Sequence, residues 1–408
     1  MKEEFKLLIS EFEKFKLPDI IKRDIAIPRH NLISIVGPRR SGKTYLLYQK
    51  IKEFDKKGCL FVNFERGNLL GCSAKNFKDM IDAYKELFGK EPRFLFLDEI
   101  QAVKDWALGI RELYEKGYNI FLTGSSSKLL SREIATQLRG RCISVFVLPF
   151  SFKEFLRAKN IDVSEFSMYT ERGILFKLLN EYIEKGGYPE PTLKPEIYED
   201  LLLSIKDGVF YKDIVERFKV KKVKTFEFLT KILVSNFSSY YTYSKLQNIM
   251  SSSGIKISKN TVVEFVKMLE DIFLIYSVDR FESKVKETIK TPKKVYVVDN
   301  SLIKFFSPRF SRDVGRLMEN TVFLELKRRE KSSEIYYVDN SKGEVDFFVK
   351  SLHGKKLLQV TYASGKDEIS SREVKSLLAA SDQLKCKDML IITWDYEDEI
   401  KLGNKAIK

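Results

Sequence analysis

Histidine is nearly missing from this chain: His30 and His353 are the only two in 408 residues. Cysteine occurs four times, at Cys59, Cys72, Cys142 and Cys386, far apart and with no C-x-x-C pair. Structural zinc sites draw on closely spaced Cys and His, so such a site is all but excluded. Separated thiols fit a reducing compartment, and a cytoplasmic location is expected. No stretch approaches 18 uncharged apolar residues, and the N-terminal MKEEFKLLISEFEKFK is amphipathic and mixed in charge, unlike a signal peptide. Membrane spanning and secretion are set aside. There is also no fixed-period repeat and no low-complexity segment.

What remains is ample for folded cores. Hydrophobic residues make up 44% and charged residues 32%, and at roughly 150 residues per domain the length allows two or three domains. The net charge of +15 and a pI near 9.3 are what a protein with a polyanionic partner carries. Lys- and Glu-rich proteins that never touch nucleic acid are also basic, so where the charge sits matters more than its total.

Residues 31–150 alternate short apolar runs with amphipathic stretches. The runs 32–36, 60–64, 94–97, 120–123 and 144–148 are too short for helices and rich in Val, Ile, Leu and Phe. That is the pattern of buried parallel strands in an α/β sheet. From 150 the pattern turns helical, broken at Gly186, Gly187, Tyr188 and Pro189. Helical and β-like runs then alternate to the C-terminus.

Between the first run, LISIV, and the helical YLLYQKIKEF stand Gly37, Pro38, Arg39, Arg40, Ser41, Gly42, Lys43 and Thr44. They fit G-x-x-x-x-G-K-[ST] in the strand–loop–helix setting the motif requires. The glycines let backbone amides curl around a β-phosphate, and the helix N-terminus adds its dipole. Lys43 reaches the β- and γ-phosphates, and the Thr44 hydroxyl ligates Mg²⁺. With Tyr45 as the next residue, this segment is the expected nucleotide-binding stretch, and ATP and Mg²⁺ are the expected cofactors.

A second apolar run, RFLFLDEI, ends in Asp98 and Glu99. Asp98 is expected to hold Mg²⁺ through water and Glu99 to act as general base toward the attacking water. The run NIFLTGSSS ends in small hydroxyl residues, of which Ser125, with Thr123 as its neighbour, is the candidate sensor of the γ-phosphate. In QLRGR, Arg139 and Arg141 are candidates to stabilise transition-state charge, in cis or across a subunit interface of a homo-oligomer.

In order along the chain, GPRRSGKT, FLFLDEI, FLTGSSSKLL, LRGR, LPFSFKEFL, GGYPE, ENTVFLELKRR and EVDFFVK resemble the AAA-type P-loop ATPases of archaea and bacteria that carry a C-terminal region of unknown function. The resemblance covers nearly the whole chain. It implies an additional-strand P-loop core over 1–150, a helical lid over 151–205, a winged helix over 206–295 and a restriction-endonuclease-like mixed α/β domain over 296–408.

Residues 206–295 hold 18 Lys and Arg against 10 Asp and Glu, more than half the excess charge of the chain. Within them, Ser258 is a plausible N-cap for a helix with Val262, Phe265, Val266 and Leu269 on its apolar face. Lys259, Asn260 and Lys267 fall on the other face. A strand-like FLIYSV, a connection carrying Lys284, Lys286, Lys290, Lys293 and Lys294, and a return run KVYVVD complete the order of a winged helix. Such a helix can enter a major groove while wing lysines contact phosphates, so Lys259, Asn260, Lys267, Lys284, Lys286 and Lys290 are the candidate DNA contacts. A protein-interaction or lid role fits the same elements.

The resemblance also implies where a nuclease would hold metal: a helix Glu, a strand Asp, and E-x-K on the next strand. Here those positions read Glu319, Asp346, Gln359 and Thr361. With the second acid and the lysine replaced, nuclease activity is not expected. The sequence therefore reads as an ATPase coupling nucleotide state to DNA binding. The alternative is an ATP-gated switch or scaffold for protein partners with little turnover.

Overall fold

The five apolar runs become five strands: β1 (Leu32–Val36), β2 (Cys59–Asn63), β3 (Phe94–Asp98), β4 (Asn119–Gly124) and β5 (Ile143–Phe146). The computed structural model describes residues 1–125, 138, 140–162, 172–284, 291–306, 313–329, 333–352, 354–402 and 405–408, without the side chains of 212 and 216. Arg139, Lys286 and Lys290 lie outside the described residues. The chain divides into two compact units: residues 1–171, 187–201 and 271–273 form the first, and 172–186, 202–270 and 274–408 the second.

In the first unit the strands pair in parallel in the order β2-β3-β4-β1-β5. β4 thus stands between β1 and β3 as an additional strand. Alternate side chains leave the sheet on opposite faces, and the core divides accordingly. Leu32, Val36, Leu60, Val62, Leu95, Leu97, Ile120 and Leu122 pack with α3 (Phe77–Phe88) and α4 (Trp106–Glu115). Ile33, Ile35, Phe96, Phe121 and Val145 pack with Leu46, Leu47 and Ile51 of α2 (Lys43–Ile51). The amphipathic N-terminus is α1 (Lys2–Lys14), which buries Phe5, Leu8, Ile9 and Phe12. Each such buried side chain is worth about 1.5–3 kcal/mol, so apolar layers on both faces hold the C-terminal ends of β1 and β3 at one edge of the sheet, with β4 between them. After β5 comes α5 (Phe152–Ala158), whose Ser151 cap and Glu154 form a capping box.

In the second unit, α6 (Arg172–Lys185) and α7 (Val223–Ser235) precede β6 (Ser239–Tyr241), α8 (Tyr243–Ser252), α9 (Lys259–Asp271), β7 (Ile275–Asp279) and β8 (Lys293–Val297). The three strands form an antiparallel sheet in the order β6-β8-β7. Then follow α10 (Val314–Arg329), β9 (Glu334–Asn340), β10 (Gly343–Ser351), β11 (Gly354–Val360), α11 (Ser371–Leu384) and β12 (Asp388–Ile392). Their sheet runs β12-β11-β10-β9, with β12 parallel to β11 and the other pairs antiparallel. Leu377, Ala380 and Leu384 of α11 cover Val345, Phe348 and Leu357 on one face. Among the described residues no helix is long and apolar enough to cross a membrane.

Candidate functional site

The loop between β1 and α2 closes over its own lysine. Lys43 is 4% exposed, and its Nζ donates to the carbonyl oxygens of Gly37 at 3.2 Å and Pro38 at 3.0 Å, with Glu99 Oε1 at 3.8 Å. The two glycines are required for different reasons. A Cβ on Gly37 would sit 2.1 Å from the Val147 carbonyl oxygen, whereas Gly42 caps α2 at φ +96°, where other residues are strained. Ser41 is buried, Arg40 takes φ +58°, and Tyr45 stands half exposed on the first turn of α2. Both loop arginines face glutamates of other segments: Arg39 lies 3.6 Å from Glu65, and Arg40 lies 3.4 Å from Glu190.

The acid pair at the end of β3 meets this loop. Asp98 is fully buried, and its Oδ2 accepts from Thr44 Oγ1 at 2.9 Å and from Asn63 Nδ2 at 2.9 Å. Its Oδ1 accepts from Thr123 Oγ1 at 2.6 Å. Burial, with Glu99 adding to it, pushes the Asp98 carboxyl up to about 6. Glu99 takes φ +52°, donates its backbone N–H to Thr123 Oγ1 at 2.9 Å, and accepts from Gln101 Nε2 at 2.5 Å. A divalent cation fits here: Thr44 and Asp98 converge on one point, and a positive charge would relieve the crowding of two neighbouring acids. Ser125 is buried just past the end of β4. Within β4 it is Thr123, two residues earlier, whose hydroxyl touches both members of the acid pair. Asn63 and Gln101 escaped the sequence reading because neither belongs to a motif; position at the end of β2, next to β3, was the only signal for Asn63.

Arg141, a candidate to stabilise transition-state charge, stands away from the loop between β1 and α2. It lies just before β5, where Ile143 pairs with Ile33, while the loop follows Val36 at the other end of β1. At about 3.3 Å per residue the separation is roughly 15 Å. Its guanidinium pairs with Glu115 at 2.5 Å and lies over the Tyr114 ring, so it does not serve the loop of its own chain.

In the second unit, Ser258 Oγ accepts from the Thr261 N–H and caps α9 as expected. Val262, Phe265, Val266 and Leu269 are buried, and Lys259, Asn260 and Lys267 are exposed. Lys284 is exposed too. Two lysines of the expected wing have acidic partners within the unit: Lys293 pairs with Asp279, and the buried Lys294 with Glu319 and Asp346.

Lys294 points instead into a cavity of about 410 Å³ lined by Tyr240, Glu319, Glu344, Asp346, Gln359 and Arg372, among others. Its Nζ meets Glu319 at 2.9 Å, Asp346 at 3.0 Å, and Glu344. Tyr296 donates to Glu319 at 2.6 Å, and Asp346 Oδ2 accepts from the Val360 N–H at 2.9 Å. Burial and the neighbouring Asp346 push Glu319 up to about 7. Glu319, Asp346 and Gln359 thus come together as expected, while Thr361 lies beyond β11. Among the described residues no three acid, His or Cys side chains are arranged to hold a metal ion: the point on which the carboxylates converge is the ammonium group.

The order of the parallel sheet and the loop, acid pair and hydroxyls at its edge define a P-loop AAA-type ATPase domain. The model of an AAA domain matches residues 29–156, and a domain of unknown function, DUF8612, matches 176–313. An uncharacterized protein of Methanocaldococcus jannaschii, MJ1544, is 37% identical over 399 residues, spanning 96% of this chain and 89% of that protein. An uncharacterized protein of Haemophilus influenzae is 30% identical over 376 residues, 90% of each. The chain belongs to the family of these proteins. Among solved structures, the Walker-type ATPase PABY2304 of Pyrococcus abyssi is similar at 15% identity and a TM-score of 0.44, over 75% of this chain and 95% of that one. A score of that size adds nothing to the sheet order described above.

Proposed function

We propose that this protein is a Mg²⁺-dependent ATPase that couples its nucleotide state to DNA binding. The observation that carries the reading is the meeting of Lys43, Thr44, Asp98 and Glu99 at the ends of β1 and β3. Backbone carbonyls hold the Lys43 ammonium, and these are weaker competitors than phosphate oxygens for a positive charge. Bound Mg²⁺, held by Thr44 and by Asp98 through water, would supply charge neutralisation at the phosphates. Glu99 takes the proton of the attacking water, with Gln101 holding one of its oxygens and Thr123 fixing its backbone. Ser125 senses the γ-phosphate from the end of β4. Arg139, in cis or across a subunit interface, and Arg141, across an interface, stabilise charge on the γ-phosphate; if Arg141 acts in this way, mixing Arg141→Ala with Lys43→Ala protein restores activity that neither has alone.

For DNA, the supporting observations are the exposed Lys259, Asn260 and Lys267 on a capped helix and the helix–strand–helix–helix–strand–strand order around it. Residues 151–205 then serve as lid, 206–295 as winged helix and 296–408 as a domain without nuclease activity. The last point is supported by Lys294, whose ammonium stands where a nuclease would need its metal. The deciding experiment is ATP turnover by wild type and Lys43→Ala with no DNA, single-stranded DNA and duplex. Stimulation by DNA supports the coupling. Nucleotide binding with negligible turnover and no response to DNA favours the switch or scaffold.

A further inference from the structure

Arg23 belongs to no motif and no helix or strand, yet it is 5% exposed. Its Nη1 donates to the Ser41 carbonyl at 2.8 Å and its Nη2 to the Leu148 carbonyl at 2.6 Å. Its Nε lies 3.0 Å from Glu154 Oε1, and its guanidinium lies over the Phe150 ring at 5.1 Å. The backbone is held as firmly: the Arg23 N–H donates to Gln49 of α2 at 2.8 Å, and the Asp24 N–H donates to Glu154 at 2.8 Å. One side chain therefore ties the phosphate-binding loop to the chain leaving β5 and to α5. A planar fork can do this, whereas a single ammonium cannot span the three acceptors.

The contact with Ser41 has a geometric consequence. A trans peptide is planar, with C=O and N–H pointing in opposite directions, and the chain has no cis peptide among the described residues. Holding the Ser41 oxygen on the Arg23 side turns the Gly42 N–H to the side away from Arg23. Gly42 also leaves room for the guanidinium, since a Cβ there would lie 3.1 Å from Arg23 Nη1.

We infer that Arg23 is a positioning residue for nucleotide binding, setting the Ser41–Gly42 peptide so that its N–H is presented to the β-phosphate of a nucleoside di- or triphosphate. The inference rests on the ATPase reading, and it assigns Arg23 to the phosphate common to substrate and product.

The test is calorimetric titration of the full chain with ATP and with ADP, alongside steady-state kinetics and thermal melting. Removing Arg23 alone strands the buried Glu154, so the variants are Arg23→Ala and the double variant Arg23→Met with Glu154→Gln, which removes both charges. Both are expected to weaken ATP and ADP by the same factor, about tenfold or more, as for loss of a charged hydrogen bond. The kcat at saturating ATP changes by less than about threefold, because the interaction is shared by ground and transition states. Guanidinium ion in the tens of millimolar restores affinity to Arg23→Ala and does nothing for wild type. Unchanged affinity with a lowered melting temperature reduces Arg23 to a packing residue and overturns the inference, as does a loss confined to ATP. Wild type that binds no nucleotide overturns the ATPase reading and this inference with it.

Discussion

Two lysines of this protein are equally buried and differently satisfied. Lys43, 4% exposed, is held by two backbone carbonyls, with Glu99 at 3.8 Å. Lys294, 3% exposed, sits among three carboxylates. The first arrangement leaves most of a positive charge available to an incoming anion. The second surrounds one positive charge with more negative charge than it can offset, so the cluster holds its cation permanently. Burial alone does not separate the lysine proposed to meet a nucleotide from the one locked among acids; the charge on their acceptors does.

The largest effect that tests the contrast is on function. Lys43→Ala should lower nucleotide affinity by about a hundredfold or more and leave the melting temperature nearly unchanged, as read by titration and calorimetry. Glu99→Gln should keep binding while turnover falls by about 10²–10⁴. Wild-type turnover in both variants would remove the assigned site.

At Lys294 the expectation is reversed. Lys294→Met leaves three carboxylates uncompensated in a buried site and should cost about 3–5 kcal/mol in urea unfolding at neutral pH, with nucleotide affinity intact. Unchanged stability, or a loss of ATP binding in the folded variant, would erase the distinction between the two lysines.

A smaller effect sharpens the second half of the comparison. Burial, with Asp346 beside it, pushes the Glu319 carboxyl up from an ordinary 4.5 to about 7 in the fold, so the folded state favours its protonated form. Its contribution to stability is fully present below 4.5 and is lost as pH rises through 7. Glu319→Gln keeps an acceptor for Lys294 and Tyr296 without the charge. The variant should gain about 1–3 kcal/mol over wild type between pH 4.5 and 8. Parallel stability curves for the two proteins would show that the carboxylates are not in excess.

The smallest effect concerns exposed lysines, which belong to neither class. Exchanging Lys259, Lys267 and Lys284 for Glu should make the log–log salt dependence of DNA affinity shallower by about two to three, with basal ATPase activity unchanged. An unaltered slope would move the DNA contacts elsewhere.

The same contrast explains what could be read in advance. The partners of Lys43 are five and six residues away, so a contiguous pattern reports them, and the strand–loop–helix setting was legible with the five parallel strands. Glu319 and Asp346 lie 25 and 52 residues from Lys294. In the sequence Lys294 is one more lysine in a basic connection, with nothing to set it apart from the rest of a wing. Arg23 was invisible for a related reason: its acceptors are mostly backbone oxygens, which carry no sequence signature. Arg141 could be named but not placed, because a short span of sequence does not reveal at which end of a strand its first residue will lie.

The division of the chain into two units has a practical consequence. The polypeptide passes from one unit to the other five times, so no single cut releases either whole. A fragment ending at residue 150 contains every strand of the parallel sheet. It lacks Glu154, the buried partner of Arg23, and Gly187, whose carbonyl receives the Phe150 N–H. It lacks Glu190, which faces Arg40, as well. Anyone dividing the gene for expression, or inserting a tag between the halves, should expect the first unit to behave as a destabilised protein unless 151–171 and 187–201 travel with it.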